Sequence, residues 1–243
     1  MLVCEHASNF IPAELDNLGL DEAAIDSHIA WDPGALAVAR EMSAILDAPL
    51  VAQRVSRLVY DCNRPPEAQS AMPAESEIYV VPGNVGLSAA DRRARIERYY
   101  VPFRDALASL VDRRVAAGGR PAIVTIHSFT PVYRGVARNV EIGVLHDADT
   151  RLADAILAAG AAHGGRVMRR NEPYGPADGV THTLIEHALP RGLLNAMIEV
   201  RNDLIREAGE QAAMAALLSD LVRAARDSLA VETRNARPAV GAT

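Results

Sequence analysis

With 243 residues and 49% hydrophobic side chains, the chain has the size and apolar content of one ordinary α/β domain, and two very small domains would divide that core inefficiently, so a single domain over 1–243 is expected. A net charge of −6, from 25 Lys+Arg against 31 Asp+Glu, offers no sequence-wide positive field for a phosphate backbone, which excludes nucleic acid as an expected partner. The apolar runs are far shorter than the ~20 residues of a membrane helix and the opening Met-Leu-Val-Cys has no basic n-region, so a cytoplasmic protein with no membrane partner is expected.

Taken in chain order, Leu2 to Cys4 is a short apolar run of strand character. Pro33 to Leu46 carries apolar residues at Leu36, Ala39, Met42 and Ile45, a helical period with Pro33 suited to the first turn. Pro49 to Val55 and Leu58 to Tyr60 read as buried strands. Ser88, with Asp91 at the capping-box position, starts a helical stretch that Gly118 and Gly119 end, and Pro102 should break it near Tyr100 into two helices. Ala122 to Ile126, Val140 to Leu145 and Leu194 to Val200 complete the strands; a helix follows Asp149, and another runs from about Glu210 to Leu229, ahead of a Pro/Gly/Ala tail expected to fray from about 232. Strands alternating with helical patterns argue for an α/β fold, a three-layer α/β/α sandwich around a mainly parallel, mixed sheet.

The polar residues that fit neither helix nor strand faces fall just after strands, where open α/β sheets place ligands. Cys4-Glu5-His6-Ala7-Ser8-Asn9 follows the first strand and displays His6 in a turn, where a lone histidine could equally be a surface hydrogen-bonding residue. In His28-Ile29-Ala30-Trp31-Asp32-Pro33-Gly34, Asp32 can cap the helix begun by Pro33, and the same placement leaves a carboxylate oxygen for a metal. Ser56 to Pro66 reads as a strand ending in Asn63, Arg64 and two prolines; the Arg64 fork suits a carboxylate, and the plainer alternative is a surface pair with Asp61. The fourth place combines Ile126-His127-Ser128-Phe129 with Ile198-Glu199-Val200-Arg201-Asn202-Asp203. A carboxylate such as Glu199 inside a buried-looking run is costly unless it is paired, metal-associated or catalytic, and alternation puts Arg201 on its own face as a possible partner.

Two cysteines, Cys4 and Cys62, are too few for a Cys-rich site, so any metal would need His and carboxylate ligands. Two histidines from separate strand ends, one or two carboxylates and an Asn-Arg pair form the parts list of a mononuclear zinc amide hydrolase, in which three protein ligands leave a fourth position open. As they stand, the segments Cys4–Asn9, 28–35 (His28 to Ala35), Ser56–Pro65, 126–131 (Ile126 to Pro131), Asn171-Glu172-Pro173-Tyr174 and Ile198–Asp203 resemble the N-formylglutamate amidohydrolase family, and more distantly the zinc carboxypeptidases and aspartoacylase, over nearly the whole chain. The resemblance implies a zinc-carboxypeptidase-like fold, one Zn2+ per chain and a small-molecule N-acyl amino acid substrate such as N-formyl-L-glutamate. It implies His6 and His127 as metal ligands, Asn63 and Arg64 as the grip on the substrate's carboxylate, Glu199 as general base and Arg57 as the group polarising the scissile carbonyl. The carboxypeptidases take their acidic ligand three residues after the first histidine, where this chain has Asn9; Asp32, which matches an aspartate of the family's second motif, is expected instead, with Glu5 and His28 as alternatives. The classical formylglutamate enzymes have Pro-His-Ser-Gly where Glu5-His6-Ala7-Ser8 stands here, the mark of a divergent branch. Two other readings remain open: a deacylase or small peptidase acting on another carboxylate-bearing amide, and a metal-free carboxylate-binding module in which His6 and His127 are structural.

Overall fold

The computed structural model describes residues 1–235. Along the chain run β1 (Leu2–Cys4), α1 (Glu22–Asp26), α2 (Ala35–Leu46), β2 (Leu50–Ala52), β3 (Glu75–Ser76), β4 (Tyr79–Val80), α3 (Ala89–Arg95), α4 (Val101–Ala116), β5 (Ile123–Phe129), β6 (Val132–Tyr133), β7 (Val136–Ala137), β8 (Ile142–Leu145), α5 (Arg151–His163), β9 (Met168–Arg170), β10 (Asn195–Arg201) and α6 (Ala208–Asn235). Six strands form one sheet in the order β2-β1-β5-β10-β8-β9. The first four run parallel, and β8 lies antiparallel to β10. β3 with β4, and β6 with β7, make two short hairpins outside it.

The strand period of two decides what each face does. Leu2, Cys4, Val124, Ile126, Ala196, Ile198 and Val200 point to one side and are buried with Val38 and Met42 of α2, Leu152 and Ile156 of α5 and Leu218 of α6. Val3 and Ile123 point to the other and pack on Phe103, Leu107 and Val111 of α4. The result is the expected three-layer α/β/α arrangement, each large core side chain contributing about 1.5–3 kcal/mol of burial. His127 and Glu199 alternate with the first set, so they leave the sheet on the α4 side. Among the described residues no helix is long and apolar enough to cross a membrane.

Several local expectations are corrected. Leu58 to Tyr60 is a buried turn, not a strand: Val59 N–H returns to Ser56 O, and the outward carbonyls of Leu58 and Val59 are taken by Asn84 and Arg95 side chains, so the run is apolar without entering the sheet. β2 covers only Leu50–Ala52 of the expected Pro49 to Val55. Pro33 precedes α2, because Gly34 occupies the N-cap in a left-handed conformation (φ +82°). Ser88 caps α3 as expected, accepting from Asp91 N–H, and Pro102 is accommodated by a π-turn at Ile96–Tyr100 that separates α3 from α4. The last helix reaches Asn235; beyond that point the expected frayed tail lies outside the described residues.

Candidate metal centre

β1 is where the chain turns to β2 on one side and later returns to β5 on the other, the crevice position where open α/β sheets bind ligands. His6 follows β1, His127 sits in β5, and Asp32 comes from the loop before α2, whose N–H donates to His6 O at 3.0 Å. Gly34 makes this loop possible. A Cβ there would lie 2.5 Å from the Ile205 carbonyl, in a backbone conformation other residues rarely adopt.

All three side chains are buried. His6 Nδ1 and His127 Nδ1 are 3.2 Å apart, and Asp32 Oδ2 is 3.2 Å from the first and 2.9 Å from the second. Their outer nitrogens turn away onto carboxylates: His6 Nε2 lies 2.7 Å from Asp61 Oδ1, and His127 Nε2 lies 3.1 Å from Glu5 Oε2. Three donor atoms meeting within 4.8 Å, each imidazole backed by a carboxylate, fit a metal ion, because that backing fixes the ring and its tautomer while raising its basicity as a ligand. Asp32 is thus the acidic member. Its side chain caps no helix, since Ser128 N–H, Arg57 and both histidines surround it. Glu5, the first alternative, stands behind His127, and His28, the second, pairs at the cavity rim with Glu77 at 2.7 Å.

The electrostatics follow from burial and opposite charges. Burial and Arg57 oppose charge on His6, yet Asp61 and Asp32 raise its pKa; burial likewise opposes charge on His127, and Glu5 and Asp32 raise it well above the usual value. Burial would raise the carboxyls of Asp32, Asp61 and Glu5, but the neighbouring histidines, with Arg57 at Asp61, hold all three below their ordinary range. Glu199 behaves in the opposite way. Burial and the nearby Asp32 charge push it to about 7, against the pull of His127, His6 and Arg57. Its Oε2 has no hydrogen-bond partner, and Arg201, the alternative partner, turns instead to Asp203 at 2.7 Å.

A cavity of about 530 Å3 opens beside this cluster, and His6, Asp32, His127, Glu199, Arg57, Asn63 and Arg64 all line it. Arg57 donates to Asp61 Oδ2 at 2.9 Å and lies 3.5 Å from Asp32 Oδ1. Arg64 does not pair with Asp61; its Nη1 donates to the carbonyls of Asn63 and Gly179, both at 2.9 Å. Asn63 is engaged on both ends of its amide, donating to Val180 O and accepting from Thr183 N–H, so it ties the 180–183 wall in place and keeps one N–H for other use. Asp61 and Glu5 as supports, and Arg138 and Tyr174 in the cavity wall, are site residues that spacing did not single out as such.

The sheet with its converging ligand set and free buried glutamate belongs to the α/β/α class whose sites sit at strand ends. A family model for N-formylglutamate amidohydrolase matches residues 1–206, and the chain belongs to that family of amide-cleaving hydrolases. The solved structure of gene product Atu2144 from Agrobacterium tumefaciens is similar at 59% identity and a TM-score of 0.93, over 95% of this chain and 91% of that one. N-formylglutamate amidohydrolase from Ralstonia eutropha JMP134 shares the fold at 22% identity and a TM-score of 0.60, over 93% of each chain. Among curated proteins, none matches.

Proposed function

We propose that the chain is a zinc-dependent amidohydrolase that removes the N-formyl group of an acidic amino acid, N-formyl-L-glutamate in the first instance, in the cytoplasm. The observation that carries the reading is the convergence of His6 Nδ1, His127 Nδ1 and Asp32 Oδ2 beside the unpartnered carboxylate of Glu199. A divalent ion held there by His6, Asp32 and His127 would supply Lewis acidity and lower the pKa of water. Water adds to the formyl carbon while Glu199 takes its proton; the C–N bond then breaks, and Glu199 delivers that proton to the departing nitrogen, giving formate and the free amino acid. A carboxyl near 7 suits both transfers at neutral pH. Arg57, fixed by Asp61 and Asp32, offers its remaining donors to the carbonyl oxygen as charge builds there. Arg64, whose guanidinium has no carboxylate partner, holds the substrate's α-carboxylate, aided by the free N–H of Asn63.

The test is formate release from N-formyl-L-glutamate by zinc-loaded protein, alongside N-acetyl and longer N-acyl analogues. Turnover that a chelator abolishes and zinc restores is expected. Absence of turnover on every analogue at full zinc occupancy would overturn the reading.

A further inference from the structure

We infer that Arg138 reads a second carboxylate, that of the substrate's side chain, so that the cavity selects dicarboxylic N-acyl amino acids; this rests on the amidohydrolase reading above. Three guanidiniums line the cavity, and they are not equivalent. Arg57 is neutralised by Asp61 and Asp32. Arg64 and Arg138 have no carboxylate partner among the described residues, although each is anchored: Arg64 by two backbone carbonyls, Arg138 by the Tyr174 hydroxyl at 2.9 Å and Thr130 O at 3.4 Å. The other acids of the wall are engaged elsewhere, Glu77 with His28 and Arg134 N–H, Asp178 with Gly175 N–H.

Arg138 is also held in plane. Its guanidinium carbon lies 5.6, 4.6 and 4.8 Å from the ring centres of Phe129, Tyr133 and Tyr174, and its backbone is fixed at both ends, N–H to Pro131 O and carbonyl to Arg201 Nη1. Stacked rings satisfy the faces of a guanidinium and leave its edge, where the N–H fork lies, for a planar anion. A monocarboxylate ligand would answer only one of the two unpaired cations. Two carboxylates separated by the amino-acid side chain answer both, and the prefixed fork keeps the ordering cost of that contact low.

Zinc-loaded wild type, Arg138→Gln and Arg138→Lys are compared on N-formyl-L-glutamate and N-formyl-L-glutamine, which differ only in the side-chain charge. Wild type should prefer the glutamate substrate by ~10² or more in kcat/KM, a loss expected when a charged contact goes unmade. Arg138→Gln should lose ~10² on that substrate while staying within ~3-fold on the glutamine analogue, and lysine, which keeps the charge without the fork, should recover only part. Equal losses on both substrates, or none, overturn the inference. A binding arm separates it from the activity itself: titration calorimetry with L-glutamate and L-glutamine should show a wild-type preference for glutamate that Arg138→Gln abolishes, whether or not either formyl substrate turns over. Equal wild-type affinity for the two overturns the dicarboxylate reading.

Discussion

Glu199 and His127 are register partners on the adjacent parallel strands β10 and β5, so their side chains leave the same face of the sheet side by side. Gly143 is the partner of Glu199 on the other flank, where a Cβ would come within 2.0 Å of the Glu172 carbonyl. A carboxylate is therefore clamped between an imidazole and bare backbone, with no hydrogen bond to its Oε2. Such a group acts as a base or is a defect. Replacing Glu199 with Gln keeps the shape and removes the proton acceptor, so kcat should fall by ~10² to 10⁴ with zinc content unchanged. Near-normal turnover would end the assignment.

The same carboxyl predicts a stability effect in chelated protein. Its pKa is raised from 4.5 in the unfolded chain to about 7 by burial and by Asp32, so the folded state holds a proton that the unfolded state releases as pH rises between those values. Stability is lost across that window, and the full penalty is present above 7. Metal-free Glu199→Gln should accordingly be more stable than wild type at pH 8.5, by on the order of 1–3 kcal/mol, and no different at pH 4. Urea titrations at the two pH values check this; an equal difference at both would refute it.

How much of this was legible in the sequence depends on how local each signal is. The strand ends carrying His6, His127 and Glu199 were readable because a polar residue interrupts an otherwise apolar, β-branched run. The turn at Leu58 to Tyr60 was misread since burial on both sides looks the same whether the backbone bonds to a strand or to Asn84 and Arg95. The edge strand β9 escaped notice because Arg169 and Arg170 give it no apolar alternation. Asp61 and Glu5 could not be recognised as histidine supports, as the relation spans 55 residues in one case and strand packing in the other. Arg138 follows a two-residue strand, too short to show a period.

Those supports carry the next prediction. Zinc affinity depends on the two imidazoles being held with Nδ1 inward, which Asp61 and Glu5 enforce from behind. Asp61→Asn and Glu5→Gln should each weaken zinc binding ~10- to 100-fold without removing a ligand, whereas His6→Ala or His127→Ala should abolish stoichiometric zinc. Competition with a chromophoric chelator measures all four. Full zinc occupancy in both histidine variants would show that the ion binds elsewhere.

The last prediction separates the two ends of the substrate. Arg64 reaches into the cavity from a turn whose own carbonyls, at Asn63 and Gly179, hold it, and no acid nearby competes for its charge. If it clamps the α-carboxylate, Arg64→Ala should raise KM for N-formyl-L-glutamate by ~10-fold or more but barely change that for the α-amide analogue, which keeps the side-chain charge and lacks the α one. Lysine should rescue little, because a point charge cannot match the two parallel hydrogen bonds of the fork. The competing explanation, that Arg64 only braces the loop around Gly179, predicts a lowered melting temperature and equal losses on both substrates. Michaelis constants for the two substrates, measured with the melting temperature of the same variant, therefore decide the matter: a KM loss shared equally by acid and amide would remove Arg64 from substrate recognition.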